Sequence, residues 1–568
     1  MLTRSAGRPP VRRTEVVVVG AGPAGLLLAG ELRLGGAEVV VLEREPIATT
    51  ESRASTLHAR TMELLDARGL LERFGAPPNE PRGHFAGLPL DLSLPSRYPG
   101  QWKVLQARTE QVLQDWARSL GAQIHRGWTV QALTQRDHGV DVVATGPDGE
   151  RLVSGRYVVA CDGEDSTVRR ITGAAFPGQD AGRELLRADV AGIRIPDRRF
   201  ERHDRGLAVA ARRGDGVTRV MVHEFGSTPQ FDGRAPELRP DDFGSVVAAW
   251  RRVTGEHIGT GKPLWVNAFG DAARQLTNYR QGRLFFAGDA AHRQMPIGGQ
   301  ALNLALQDAM NLGWKLARRL RDDSAEPLLE SYHVERHAVG KAVLNNIRAQ
   351  AALLLGGPEV DPVRRVLGEL LAFEDVRRHL AGAIAGLDIS YGPGPGRLGT
   401  RLPVLPLVTS TGPTTTSALL RAGRGVLLGV NRDDEQIQAL RESARPWAPD
   451  VEVVPAELDP AGADPVYGGA DLDGVASVLV RPDGYLAWIA ADTEPLASSV
   501  AGLQMALGRW FGRRFPAPST ADREEPADAP AAARRPFQPS DRQSPLRPGP
   551  DQAAGFRRDS PSRAEVRP

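Results

Sequence analysis

Near the start of the chain four consecutive valines, Val16, Val17, Val18 and Val19, run straight into Gly20-Ala21-Gly22-Pro23-Ala24-Gly25. An unbroken β-branched run that ends at glycines reads as a strand buried on both faces. Residues 26–34 have the apolar content and length of a helix, and residues 38–42 form a second β-branched run. Strand, turn, helix, strand opens a parallel α/β sheet. Downstream, the pattern predicts helices over 57–68 and 110–120 and strands over 139–144 and 156–160. Between 176 and 270 it changes to short runs, 206–211 and 218–224 among them, as in an antiparallel sheet. A strand at 283–287 then feeds a long helix over 301–321, and further helices follow to about 385.

The stretch YGPGPGRLGT at 391–400 breaks both helix and strand. Beyond it, strands at 425–430, 451–454, 475–480 and 487–489 mix with helices at 434–443 and 495–511. The expected division is a first domain from 14–175 and 271–390, an inserted sheet domain at 176–270 and a third domain at 391–515. A lead at 1–13 and a tail at 516–568 have the Pro-, Arg- and Ser-rich composition of disordered segments.

Composition removes several function classes. With 71 basic and 69 acidic residues the formal charge is only +2, which makes no electrostatic case for nucleic acid. Cys161 is the sole cysteine, so no internal disulfide, dithiol motif or cysteine-rich zinc site can form. No apolar run reaches the roughly 18–20 residues of a membrane span, and no secretion signal is read, so a cytoplasmic protein is expected. His333 and His337 are spaced as a metal pair, but no third ligand is evident. Glu335-Arg336 beside them suggests a solvated helix face, and no metal is expected.

Three motifs carry chemistry. In the first, Gly20 permits the tight turn, Gly22 lets backbone approach a pyrophosphate, and Gly25 lets helix and strand pack closely. Pro23 and Ala24 open the helix whose free N–H groups would face the phosphates. Glu43, followed by Arg44, ends the second strand where a carboxylate would meet the adenosine ribose. The motif predicts dinucleotide binding, with NADP disfavoured at this site. The second motif ends the strand at 283–287 with Gly288-Asp289 and continues through Pro296-Ile297-Gly298-Gly299-Gln300 into a helix. Asp289 suits a ribityl hydroxyl, and the helix start suits the anionic edge of a reduced flavin. His292 between them is expected to pack or hydrogen-bond near this loop. The third motif, Asp162-Gly163, follows a buried strand in a polar turn. A further G-x-G-x-x-G at 394–399 follows no strand and reads as linker.

In this combination the chain resembles class A FAD-dependent monooxygenases, of the phenol hydroxylase and p-hydroxybenzoate hydroxylase fold, and within them the polyketide aromatic hydroxylases. The resemblance extends to the segment 52–63, where Arg53 matches an arginine beside the flavin, and to Gln106, which matches a flavin-contacting glutamine. It implies that Asp162 and Gly163 serve both FAD and NAD(P)H, and that Pro296, Gly298, Gly299, Gln300, Ala301, Leu302 and Asn303 line the flavin, Pro296 near its C4a. Arg53 and Pro296 are the candidates nearest the reacting atoms. One departure stands out: where the family carries Gly, a hydrophobic residue, Asn, Thr and Gly, this chain has Ala301, Leu302, Asn303, Leu304 and Ala305. The third domain resembles a thioredoxin-like domain without cysteines, which leaves it a structural or assembly role.

The resemblance implies a Rossmann-like FAD domain with an inserted antiparallel substrate sheet. It implies NADPH or NADH as transient reductant, O2 as co-substrate, and oxygenation of an aromatic polyketide-type molecule through a flavin C4a-hydroperoxide, chiefly as hydroxylation. The substrate would lie between flavin and the 176–270 sheet, where Met221, Phe225, Trp265 and Phe269 are apolar residues without an assigned role. Baeyer–Villiger oxygenation on the same scaffold, and a non-catalytic flavin-binding assembly partner, are the alternatives. A homodimer is left open.

Overall fold

The computed structural model describes residues 11–48, 54–213, 215–229, 237–238, 242–394, 396–430, 434–459 and 472–512. Its central sheet is parallel at the core. Val11–Val19 pairs on one side with Val39–Glu43 and on the other with Gly149–Ala160, which in turn pairs with Leu284–Phe286. Val16, Val17 and Val18 are fully buried, as a strand covered on both faces requires. The helix Pro23–Leu34 lies on one face of this sheet. An antiparallel meander, Thr129–Arg136 and Gly139–Gly146, leads into Gly149–Ala160. The first strand starts at Val11, with Val11, Arg12 and Arg13 opposite Leu152, Val153 and Ser154, so these residues of the expected lead join the sheet.

The inserted sheet has the strand order Arg198–His203, Gly206–Arg212, Val217–Glu224, Glu184–Ala191, Lys262–Gly270, Glu237–Leu238, and every pairing is antiparallel. The helix Phe243–Thr254 closes one face, with Trp250 fully buried against Val220, Val222 and Val266. Met221 and Phe269 pack instead against a separate cluster that includes Phe85, Leu185, Met295 and Ile297. Two long helices, Gln300–Arg321 and Glu326–Leu355, run behind that loop.

The C-terminal sheet is mixed: Gly425–Gly429 is parallel to Val451–Leu458 and antiparallel to Val475–Val480, with Leu486–Ala491 at one edge. Asp434–Ala444 and Leu496–Phe511 are its helices. Most expected elements recur with ends moved by a few residues. The helix expected at 57–68 begins later, because Thr56–His58 is spent as a strand and the helix spans Ala59–Asp66.

Candidate active site

The carboxyl ends of three parallel strands bring together motifs more than a hundred residues apart. The Gly20 N–H donates to the Leu42 carbonyl at 2.8 Å, Cys161 N–H to Val19 at 2.7 Å and Ala287 N–H to Ala160 at 3.0 Å. Ligands of open α/β sheets bind at this edge, where loops leave neighbouring strands in opposite directions.

The first loop is shaped by contact on one side and openness on the other. Gly20 has φ +103°, and a Cβ there would stand 2.3 Å from the Cys161 carbonyl oxygen. A Cβ at Gly25 would meet the Gly20 carbonyl at 2.0 Å. Around Gly22 nothing lies within 4 Å of the same position. Two glycines thus hold the turn, and the third leaves space in front of a helix N-terminus. Glu43 accepts the Ala21 N–H at 2.6 Å and the Glu45 N–H at 2.8 Å, which fixes a carboxylate at the strand end. Arg44 is exposed beside it and meets Glu45 at 3.3 Å.

Asp162 accepts from the Ser166 hydroxyl at 2.6 Å and the Val168 N–H at 3.0 Å, capping the helix Thr167–Thr172. Burial raises its carboxyl above the usual range, against those bonds. Gly163, at φ +80°, faces open space. Burial and the neighbouring Asp162 push the Cys161 thiol well up, so it is no thiolate nucleophile.

Gly288–Ala290 is a short 3₁₀ turn, with Asp289 exposed between buried neighbours. Its support lies deeper. Asp308, on the long helix, accepts from the Gly288 N–H at 3.1 Å, from His292 Nε2 at 2.8 Å and from Arg336 Nε at 2.6 Å. Burial pushes Asp308 up, but Arg336 and His292 outweigh it and hold the carboxyl below the ordinary range. His292 Nε2 therefore donates to the buried Asp308 carboxylate, which also accepts the Gly288 N–H. The expected solvated face at Glu335-Arg336 is not there: both residues are buried, because their helix packs behind the Gly288 loop and each side chain has an ionic partner. Among the described residues no cluster of metal ligands occurs, and His333 and His337 lie against the Tyr279 ring.

After exposed Pro296, Gly298 and Gly299 both have left-handed φ, +66° and +70°, and Gly299 caps the helix that starts at Gln300. Asn303 ties this loop to the segment after Arg53: its Oδ1 accepts the His58 N–H at 2.8 Å, and its Nδ2 donates to Thr56 at 3.1 Å and to Gly299 at 2.8 Å. His58 lies within the segment 52–63, where sequence alone gave it no role. Its Nδ1 donates to the Ile384 carbonyl at 2.6 Å, and burial lowers its pKa to about 4. Gln106 donates from its backbone to Ala54 at 2.9 Å and from its side chain to Glu110 at 2.8 Å, next to the same segment. Arg53 lies outside the described residues. Ala301 is half-buried and Leu302 is buried; Ala305 packs 3.0 Å from the position a Gly288 Cβ would take.

A cavity of about 700 Å³ opens beside Gln300 and Asn303. Phe85, Leu304, Val339 and Ile384 give it apolar walls, and Glu335 and Tyr391 stand in its polar part. Both polar atoms of the buried Gln300 amide, and Oε1 of Gln307, lack a hydrogen-bond partner in the protein. Buried amides without partners are costly and suit a ligand that supplies them. The wall expected in the inserted sheet contributes none of the cavity's lining residues. The open cradle at Gly22, the helix N-terminus behind it and the unpartnered Gln300 at the second loop together fit an extended dinucleotide ending in a flavin.

Comparison with known proteins agrees. The model of the FAD binding domain matches residues 13–347, and that of the aromatic-ring hydroxylase C-terminal domain matches 395–514. The chain is 42% identical to 12-dehydrotetracycline 5-monooxygenase/anhydrotetracycline 6-monooxygenase of Streptomyces rimosus, over 88% of this chain and 99% of that one. It is 38% identical to the rifampicin monooxygenase of Streptomyces venezuelae, over 88% and 98% respectively. The solved structure of CabE, an aromatic hydroxylase from angucycline biosynthesis, superposes with a TM-score of 0.81 at 45% identity, covering 88% of this chain and 99% of CabE. With a nucleotide cradle, a second glycine loop and a hydroxylase-type C-terminal domain in one chain, the protein belongs to the class A FAD-dependent aromatic-ring monooxygenases, the polyketide hydroxylases among them.

Proposed function

We propose that the protein uses NAD(P)H and O2 to hydroxylate a ring carbon of an aromatic polyketide-type molecule bound in the cavity beside Gln300. The observation that carries this reading is the position of that cavity: a space of about 700 Å³ that begins at the flavin loop and is mostly apolar. Such a volume suits a flat polycyclic molecule, within the usual range for small-molecule sites. FAD, when bound, supplies the reduction by nicotinamide and the activation of oxygen.

The chain's own work is binding, orientation and exclusion of water. The backbone at Gly20, Gly22 and Gly25 and the helix Pro23–Leu34 would hold the pyrophosphate, Glu43 the ribose, and Asp289 the ribityl chain. The start of the Gln300 helix would stabilise negative charge on the ring edge. Asn303 keeps the segment after Arg53 closed on this loop, and Asp308, His292 and Arg336 keep Gly288 in place. Phe85, Val339 and Ile384 would keep water from the reacting face. A phenol-like ring needs no protein nucleophile for electrophilic oxygenation. Residues 14–175 with 271–390 would form the flavin domain, 176–270 the inserted sheet domain and 391–515 a thioredoxin-like domain, a reading supported there by the mixed sheet around Gly425–Gly429.

The test is NADPH consumption by the FAD-loaded protein with a panel of polycyclic aromatic polyketides, anhydrotetracycline included. Stimulated consumption with a product heavier by one ring hydroxyl supports the proposal. Oxygen inserted as a lactone would replace it with Baeyer–Villiger chemistry, and bound FAD without stimulated turnover by any of the panel would point to the non-catalytic flavin protein.

A further inference from the structure

One turn by which the C-terminal sheet meets the rest of the protein, Arg481-Pro482-Asp483-Gly484, is buried in charge. Arg481 grips Glu335 with both terminal nitrogens, at 2.7 and 2.9 Å, and grips Asp483 at 2.9 and 2.5 Å. Lys315 and Asn311 complete the shell of Glu335, each at 2.7 Å. The Arg481 guanidinium also lies over the rings of Trp510, Tyr391 and Tyr485, at 4.4, 5.2 and 5.6 Å. Arg60 and Arg68, from the helix that follows the flavin-side strand and the turn just after it, donate to the Asp483 and Pro482 carbonyls at 2.8 and 2.9 Å.

Two of these partners stand in the wall of the cavity: Glu335 and Tyr391. Tyr391 is held a second way, by ring contact with Tyr485 at 4.4 Å and by the Arg336 guanidinium, which donates to its hydroxyl at 2.9 Å. Its loop is also laced to the C-terminal sheet through backbone. Tyr391 N–H donates to Gly399 at 2.8 Å, Gly399 N–H to Leu486 at 2.9 Å, and Leu486 N–H to Thr400 at 2.9 Å.

We infer that the C-terminal domain is a working part of the substrate site: through Arg481 and Tyr485 it positions Glu335 and Tyr391, and so sets the shape of one end of the cavity. The inference rests on the reading of that cavity as the substrate site. Arg481 and Tyr485 act through other residues and are positioning residues. A domain that only added stability would need no forked arginine aimed at a cavity-wall carboxylate, since ion pairs buried this deeply are weak sources of net stability.

The experiment uses the FAD-loaded, full-length protein and two substitutions. Tyr485→Leu removes the ring that abuts Tyr391, and Tyr485→Phe keeps it. Arg481→Lys, which keeps the charge but not the fork, is the second site. Hydrogen exchange is followed at 386–392 and, as reference, at Val16, Val17 and Val18; binding of anhydrotetracycline is measured alongside. Tyr485→Leu and Arg481→Lys are expected to speed exchange at 386–392 about tenfold or more and to weaken the probe by a similar factor. Reference exchange and FAD affinity should stay at wild-type values, and Tyr485→Phe should behave as wild type. Unchanged exchange at 386–392 in folded Tyr485→Leu overturns the inference whatever the probe does. So does faster exchange there with unchanged probe affinity, or equal acceleration at the reference strand. The ligand-free exchange arm decides the coupling by itself, whereas wild-type protein that binds neither anhydrotetracycline nor any other member of the panel contradicts the cavity reading separately.

Discussion

Gly20 and Gly22 stand two residues apart in one loop, and the structure gives them different work, so alanine at each should fail in a different way. At Gly20 the φ of +103° is left-handed, which costs an L-residue about 1–2 kcal/mol. The new methyl would also lie 2.3 Å from a backbone carbonyl that no rotamer change can move. Relieving such overpacking costs on the order of 1–3 kcal/mol. Gly20→Ala is therefore expected to lose about 2–5 kcal/mol of stability. At Gly22 the backbone, φ −75° and ψ −179°, is open to any residue, and nothing stands within 4 Å of a Cβ. The stiffer unfolded chain contributes about 0.4–1 kcal/mol, and the poorer helix cap removes a similar amount, roughly 0.5–1 kcal/mol. The sum is close to zero. The methyl would nevertheless fill the proposed approach of the pyrophosphate. Losing one charge-assisted hydrogen bond there, about 1.5–3 kcal/mol, weakens FAD by roughly 10–150-fold. Denaturant unfolding of the apoprotein and titration of FAD by quenching of its fluorescence separate the two effects. The reasoning is refuted if Gly22→Ala keeps wild-type FAD affinity, or if Gly20→Ala unfolds at the wild-type midpoint.

Glu43→Gln removes the charge that accepts the Ala21 N–H and is proposed to hold the ribose, and calorimetry should show FAD binding weakened about tenfold or more. Arg68→Met strands Glu31, which it holds at 2.6 and 2.9 Å with both side chains buried. The loss should be about 3–5 kcal/mol by denaturant unfolding, and Glu31→Leu in the same chain should restore most of it. His58, with a folded pKa of about 4 against 6.5 in the open chain, gives an acid-side signature. Between those values the unfolded state binds the extra proton, so the stability held above pH 6.5 is lost as pH falls toward 4. The loss is on the order of 3 kcal/mol, and the melting temperature of His58→Gln should fall less steeply over that window. Lys315, buried and lowered to about 8, works at the other end. Between about 8 and 10.5 the unfolded lysine keeps its proton longer, so this group's contribution to stability rises with pH there, and Lys315→Met should flatten that limb of the melting profile.

The strand–turn–helix around Gly20 was legible because its residues answer local demands. A strand buried on both faces needs an unbroken valine run, and a turn under a helix start needs Gly20, whose neighbours in the fold leave no room for a Cβ. The inserted antiparallel sheet was legible for a similar reason, since short alternating runs record which face of each strand meets the core. The charged residues of the helix Glu326–Leu355 were not. Glu335 and Arg336 look in sequence like any exposed pair, and their burial follows from partners at Asp308, Lys315 and Arg481, the last of them 146 residues away. Period and composition report what one segment would do beside water or an apolar core; they carry no sign of a charge that another segment will neutralise. The same limit hid the cavity. Its walls come from Phe85, the faces of two long helices, Ile384 and the loop at 386–392, and none from the sheet between 176 and 270, whose Met221 and Phe269 pack against the cluster that holds Met295 and Ile297. Residues that serve a site by holding other residues, as Asn303 does for Thr56 and His58, become visible only when the fold shows which ends must meet.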